Sequence, residues 1–170
     1  MQFESVLQEL ENGISIFPAL LSGVTPEQAR IKPDLTGWSI LETICHLLDE
    51  EREDFRVRLD ILLHRADEDW PPIDPAAWVT LRDYNAHDLY SVLDAWVAER
   101  RTSLNWLRSL QAPDWDTPMP TPWEDLMPAG MMLAAWAAHD GLHQRQIIEL
   151  RRQRLVKLVE PFDPIYAGSW

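Results

Sequence analysis

Length, composition and charge exclude several classes of protein. The chain has 170 residues, 46% of them hydrophobic, and carries 15 Lys and Arg against 28 Asp and Glu, a formal net charge of −13 at pH 7. One domain spanning residues 1–170 can bury a core at this size. The negative charge repels nucleic-acid phosphates, and no segment has the roughly 18 to 20 apolar residues of a membrane helix. We therefore expect neither nucleic acid nor a membrane as a partner.

The cysteine content and the N-terminus indicate the compartment. Cys45 is the only cysteine, which rules out an intramolecular disulfide and suits a reducing environment. The first residues, MQFESVLQELENG, contain early acids and no basic flank before an apolar run, so they do not resemble a signal peptide. We therefore expect a cytoplasmic protein.

Glycine and proline divide the chain into apolar-periodic segments that predict helices. The first helix runs from about Phe3 to Leu21. Pro18 lies in its last turn and should end or bend the helix. After a loop, Thr36 or Ser39 is the expected N-cap of a second helix that runs to about His64.

The second half of the chain predicts two more helices, separated by long connections. The segment 66–86 is too long for a tight turn. A third helix spans about Asp88 to Leu110, and the five prolines of segment 113–128 exclude a continuous helix there. A fourth helix runs from about Met127 to Arg154. Together these elements predict an all-α fold, a four-helix bundle with long crossover connections.

Basic residues cluster near the end of the fourth helix. They are Arg151, Arg152, Arg154 and Lys157. The macrodipole of a helix favours cations at its C-terminal end. We therefore interpret this cluster as an ordinary helix end.

Two histidines in the fourth helix carry the strongest chemical signal. His139 and His143 are four residues apart, so they share a helical face at a separation of about 5–6 Å. Neutral imidazole is a common ligand of zinc, nickel, copper and iron. His46 lies in a segment of the second helix whose apolar residues are expected to pack inward, and it could supply a third ligand. Taken alone, an H-x-x-x-H pair is a weak signal, and the alternative is exposed or core histidines.

Two sequence motifs resemble those of the DinB/YfiT-like superfamily. The first is a Trp-Ser helix start with a histidine several residues later, in GWSILETICHLLD. The second is H-x-x-x-H with a glutamine three residues later, in HDGLHQRQI. The resemblance covers nearly the whole chain. The matching positions are Trp38, Ser39, His46, His139, His143 and Gln146.

This resemblance implies a four-helix bundle in which His46, His139 and His143 bind a divalent metal, zinc or nickel first, with iron or manganese as alternatives. It also implies a homodimer and, as in some relatives, transfer of a low-molecular-weight thiol. Three protein ligands leave a coordination position open, as in catalytic metal sites. We therefore expect a small-molecule thiol and an electrophilic substrate as partners. The alternatives are a non-catalytic metal-binding or stress-associated bundle and, more weakly, a dimeric scaffold with an empty site.

Glu50 and Gln146 are the candidate catalytic residues. Glu50 lies one turn after His46, where it could accept a proton, act as a fourth ligand or hydrogen-bond an imidazole. The favoured alternative is an ordinary surface acid in the acidic run 49–54. Gln146 either orients a ligand histidine or a bound water, or makes an interhelical hydrogen bond. Trp136 is a candidate pocket wall, although core packing is its favoured role.

Other polar residues are expected to lie outside the chemistry. Cys45 points about 100° away from its neighbour His46 around the helix. His64 and His87 lie outside both motifs. Arg145 could bind a carboxylate, but a solvent-facing arginine is the favoured interpretation.

Overall fold

The protein is predominantly helical. The structure is a computed structural model that describes residues 2–123 and 125–168. None of the described helices is long and apolar enough to cross a membrane. In chain order the elements are α1 (Phe3–Leu21), α2 (Pro26–Ala29), α3 (Ile40–Glu53), α4 (Phe55–His64), α5 (Pro75–Leu81), α6 (Leu89–Ser109), β1 (Pro118–Pro120), β2 (Leu126–Pro128) and α7 (Ala129–Leu158), with 3-10 turns at Tyr84–Ala86 and Pro164–Ala167.

The predicted four-helix bundle with long connections is confirmed. Its four members are α1, the pair α3 and α4, α6, and α7. Helix α1 packs against α6 and α7, while α3 packs against α6 and α4 packs against α7. Pro18 does not end α1, which continues for three further residues to the predicted Leu21.

The second predicted helix is interrupted, and the prediction of one continuous helix to His64 was wrong. Its backbone breaks at Asp54, where φ is −119° and ψ is −88°, and α4 restarts at Phe55. No glycine or proline marks this position. Asp54 is buried and forms an ion pair with Arg58 at 2.7 Å. Neither Asp54 nor Arg58 is a residue that ends helices, so no local signal in the sequence predicts the interruption.

The two long connections contain short elements of their own. Helix α5 lies within segment 66–86, and an antiparallel hairpin of β1 and β2 lies within segment 113–128, with Met119 opposite Met127. The pairing occupies Met127 and Pro128, so α7 begins at Ala129, two residues later than predicted. It ends at Leu158, four residues later than predicted.

The core consists of two apolar clusters with a polar layer between them. One cluster contains Phe17, Leu48, Trp96 and Ile147, and the other contains Leu10, Phe55, Leu104 and Trp136. Between these two sets, α3, α6 and α7 contribute buried polar residues, and α1 contributes Gly13. The polar residues of this layer include His46, Glu50, Glu51, Arg100, Asp140 and His143.

Candidate metal centre

A capping box positions the first motif. The Ser39 side chain accepts a hydrogen bond from the backbone N–H of Glu42, and the Glu42 carboxylate accepts one from the backbone N–H of Ser39. This reciprocal pair satisfies N–H groups that a helix start otherwise leaves unpaired. It fixes the start of α3, so that Trp38 lies just before the helix and packs on the ring of His46 at a centroid distance of 4.8 Å.

The structure brings the three predicted histidines together. His46 comes from α3, and His139 and His143 lie one turn apart on α7. The Nε2 atom of His139 is 3.2 Å from Nε2 of His46 and 3.0 Å from Nε2 of His143. The candidate ligand nitrogens of these three residues, hereafter the histidine triad, all lie within 4.8 Å of one another.

These separations fit a shared metal ion. Zinc–imidazole bonds of about 2.0–2.1 Å place tetrahedral ligand nitrogens about 3.3 Å apart. The two shorter contacts of the triad, 3.2 and 3.0 Å, are close to that spacing. Three converging imidazole nitrogens cannot all satisfy one another with hydrogen bonds, because a neutral ring has one N–H donor. A cation at the centre satisfies all three lone pairs.

The outer nitrogen of His143 supports the same arrangement. Nδ1 of His143 is 2.7 Å from Oε1 of Gln146. If Nδ1–H donates to that oxygen, Nε2 is left with its lone pair directed at the centre, which is how outer partners orient metal-binding histidines. Gln146 therefore contacts His143 within α7, so this hydrogen bond is not the interhelical one that the sequence left open.

Burial keeps the triad uncharged. Desolvation, followed by the positive charge of a protonated His143, lowers the pKa of His46 to about 3. Desolvation and both neighbouring imidazoles also lower the pKa of His139, and desolvation lowers that of His143. Metal ligation requires neutral imidazole, so the site is in its ligating form at neutral pH.

Glu50 is buried, contrary to the favoured interpretation of it as a surface acid. Its residue is 4% exposed, and its Oε1 atom lies 3.8 Å from Nδ1 of His46. Among the described residues, neither of these two atoms has a hydrogen-bond partner. Desolvation, followed by a hydrogen bond that the protonated Glu50 carboxyl donates to Asp54, raises the pKa of Glu50 to about 9. Glu50 is thus a buried, protonatable carboxyl beside His46.

A second buried cluster adjoins the triad and was not predicted. Arg100 of α6 forms ion pairs with Glu51 and Asp140, both buried. Its guanidinium also donates to the backbone carbonyl of Leu10 at 3.0 Å. Gly13 of α1 leaves room for the cluster, because a Cβ at that position would lie only 3.0 Å from Oδ2 of Asp140. That mid-helix glycine was the only local signal, since charged side chains are ordinarily exposed.

Comparison with known proteins identifies the family. The family model of the DinB superfamily matches residues 9–147. This chain belongs to the DinB superfamily. No curated protein matches the sequence significantly.

Two solved structures share the DinB-superfamily fold of this chain. YfiT from Bacillus subtilis, described as a probable metal-dependent hydrolase with an unusual four-helix bundle topology, is 21% identical, with a TM-score of 0.79 over 90% of this chain and 87% of that one. A mycothiol-dependent maleylpyruvate isomerase is 18% identical, with a TM-score of 0.62 over 86% of this chain. The present chain covers 61% of that isomerase.

Aromatic side chains surround the triad of this DinB-superfamily protein. The ring of Trp38 lies parallel to that of His143 at 6.5 Å, and Phe55 contacts His139 at 5.0 Å between centroids. Trp136 is buried against Phe55, and its Nε1–H donates to Glu51 at 3.0 Å. Trp136 therefore supports the core, as the favoured interpretation held, and Trp38 and Phe55 form the aromatic wall.

The remaining sequence candidates lie away from the triad. The Cys45 thiol contacts the carbonyl of Tyr84 at 3.7 Å. His64 pairs with Asp60, and His87 lies near the carbonyl of Arg82. The prediction that Cys45, His64 and His87 lie outside the site is confirmed.

A cleft adjoins the triad. Its volume is about 510 Å³, and Trp38 and Gln146, which both contact triad histidines, form part of its wall. Arg145 is exposed at the same cleft. The cleft gives a small molecule space beside the residues that orient the triad.

Proposed function

We propose that this protein is a metal-dependent enzyme that binds a divalent cation through the histidine triad and transfers a low-molecular-weight thiol to an electrophilic substrate. The observation that carries the proposal is the convergence of His46, His139 and His143 at separations close to those of metal ligands. Zinc and nickel are the favoured ions because both accept imidazole ligands, and iron and manganese are the alternatives.

The residues around the triad have separable roles in this proposal. Three neutral imidazoles would hold the cation, and Gln146 keeps Nε2 of His143 available by accepting a hydrogen bond from Nδ1–H of that ring. Trp38 and Phe55 shield the rings from water on two sides. A bound divalent cation lowers the pKa of a thiol that reaches it, which supplies a thiolate nucleophile at neutral pH.

Glu50 is the proposed proton-handling residue. Its carboxyl is protonated near neutral pH because burial and Asp54 raise its pKa to about 9. It lies beside Nδ1 of His46 at 3.8 Å. Once Glu50 has released its proton to water, its carboxylate can accept a hydrogen bond from Nδ1–H of His46, so that Glu50 and His46 together set the charge of the site.

The first experiment measures metal content. Protein purified without an affinity tag should carry about one divalent ion per chain, and the double variant His139→Ala/His143→Ala should carry none. The matched control is His64→Ala/His87→Ala, which removes two histidines outside the triad and should retain the metal. Wild-type protein that binds no ion even after loading with zinc or nickel would overturn the metal proposal.

The second experiment measures thiol transfer. Metal-loaded protein is incubated with cysteine, coenzyme A or mycothiol and with 1-chloro-2,4-dinitrobenzene, in which the thiolate sulfur bonds to the ring carbon and chloride leaves. Turnover that disappears in His139→Ala supports the enzyme. A loaded protein that turns over none of these pairs would favour the non-catalytic metal-binding bundle.

A homodimer and its cytoplasmic location stay predictions. The homodimer rests on the family resemblance. Sedimentation velocity over a series of protein concentrations tests it directly. A constant monomer mass across the series would contradict it.

A further inference from the structure

A small apolar pocket lies between the segment that joins α1 to the start of α3, residues 23–40, and the last turns of α7. Its volume is about 90 Å³. Val24, Ile40 and Leu150 contribute apolar walls, and the first two are buried. The share of liquid volume of one water is about 30 Å³, so the pocket has room for an apolar group of only a few carbon atoms.

Cations surround this pocket. The chain contains only two lysines, Lys32 and Lys157, and both line the pocket together with Arg151 and Arg154. This is unexpected in a chain of net charge −13. The macrodipole of α7 accounts for cations at its own end, but Lys32 comes from the loop after α2 and reaches the same pocket independently.

Three of the four cations form no ion pair with a carboxylate in the described part of the chain. Lys32 pairs with Glu42 at 2.9 Å, and Arg151 donates to the backbone carbonyls of Leu20 and Ser22. Within residues 2–123 and 125–168, no ion pair joins Arg154 or Lys157 to a carboxylate. Both side chains are exposed at the rim, where they can bind an anion without first breaking an internal ion pair.

We propose that this pocket binds a small amphipathic anion, with a short alkyl or aryl group in the apolar cavity and a carboxylate or phosphate at Arg154 and Lys157. Guanidinium and ammonium groups both recognise such head groups. Arg154 lies eleven residues after His143 on α7, about 16 Å along the axis at 1.5 Å per residue. Binding of the proposed ligand should therefore not require the metal. The pocket nevertheless shares Leu150 and Gln153 with the cleft beside the triad.

Calorimetric titration of metal-free protein with hexanoate tests the proposal. Hexanoate should bind, while 1-hexanol and acetate, which lack the charge or the alkyl chain, should bind at least tenfold more weakly. Hexyl phosphate is the parallel arm, and the tighter of the two anions identifies the preferred head group. Shifts of the Ile40 and Leu150 methyl resonances should accompany binding.

Paired charge variants keep the test specific. Arg154→Gln/Lys157→Gln should weaken hexanoate binding about tenfold or more. The control, Arg101→Gln/Arg108→Gln, removes the same charge from α6 residues outside the pocket and should bind as wild type does. Failure of wild type to bind either anion, or equal affinity in the pocket variant and wild type, would overturn the proposal.

Discussion

Two buried polar clusters lie side by side in the middle of the bundle and differ in how their groups are satisfied. The first is the histidine triad. The second, hereafter the arginine cluster, comprises Glu51, Arg100 and Asp140, and it is joined to the triad through the peptide bond between His139 and Asp140. In the arginine cluster, opposite charges and hydrogen bonds pair the guanidinium on every side.

The triad has no such internal solution. Its three rings are uncharged at neutral pH, and their converging nitrogens cannot all be satisfied by hydrogen bonds to one another. A buried polar group without a partner costs roughly 1–3 kcal/mol. The contrast shows that burial alone does not indicate function, since a cluster completed by its own residues supports the fold, and one that lacks a partner is suited to a ligand.

The largest expected effect comes from breaking the arginine cluster. Arg100→Met leaves Glu51 and Asp140 buried without their cation, and loss of one partner of a buried pair costs about 3–5 kcal/mol. Urea unfolding of the metal-free protein should show this loss. Arg101→Met, which changes the exposed neighbour, should unfold within about 0.5 kcal/mol of wild type. Similar midpoints for the two variants would show that the cluster is dispensable.

Removing a triad ligand should affect the metal-bound protein selectively. An ion present at 100 times its Kd stabilises the folded state by about 2.7 kcal/mol. His139→Ala should lose this increment, so adding zinc should raise the Tm of wild type and leave the Tm of the variant unchanged. An equal increase in both proteins would place the ion elsewhere.

Acid should destabilise the metal-free protein through the triad. Burial holds the pKa of His46 at about 3 and lowers that of His139, whereas imidazoles of an unfolded chain titrate near pH 6.5. Between these values the unfolded chain binds more protons, so stability falls as pH drops. We expect each of these imidazoles to cost about 2 kcal/mol of stability from pH 7 to pH 5, as measured by urea unfolding at each pH. Glu50, whose pKa is raised to about 9, offsets part of this loss because its folded form binds the proton more tightly.

The variant His46→Ala/His139→Ala is the control for this pH dependence. It retains the carboxylates that titrate in the same range but lacks two of the buried imidazoles. Between pH 7 and pH 5 its stability should therefore fall by about 2 kcal/mol less than that of wild type for each imidazole removed. Parallel pH profiles for the two proteins would contradict the role assigned to the triad.

The smallest expected effect concerns the outer partner of His143. Gln146→Leu removes the oxygen that Nδ1 contacts at 2.7 Å, and loss of such a partner lowers metal affinity about tenfold, or 1.4 kcal/mol. Competition with a chromophoric chelator measures the change. Gln146→Glu keeps an acceptor at the same place and should retain wild-type affinity or exceed it. Wild-type affinity in Gln146→Leu would restrict Gln146 to a packing role.

Much of the fold and of the metal site was predictable because the signals are local or periodic. The i,i+4 spacing of His139 and His143 places both on one face of any helix that contains them. Ser39 and Glu42 form a capping box within four residues. The inward position of His46 follows from the apolar stripe of its helix. These features depend on neighbours along the chain, so they hold before the bundle assembles.

Only the tertiary structure decided how the acids of α3 are used. In the sequence Glu50, Glu51 and Asp54 form one acidic run, yet each has a different buried environment: beside His46, against Arg100, and paired with Arg58. Arg100 comes from another helix and Arg58 lies beyond the break at Asp54, and the burial of all three acids depends on how the helices of the bundle pack. The sequence determined the helices and the candidate ligands, and long-range packing determined which charges were paired and which sites remained available to ligands.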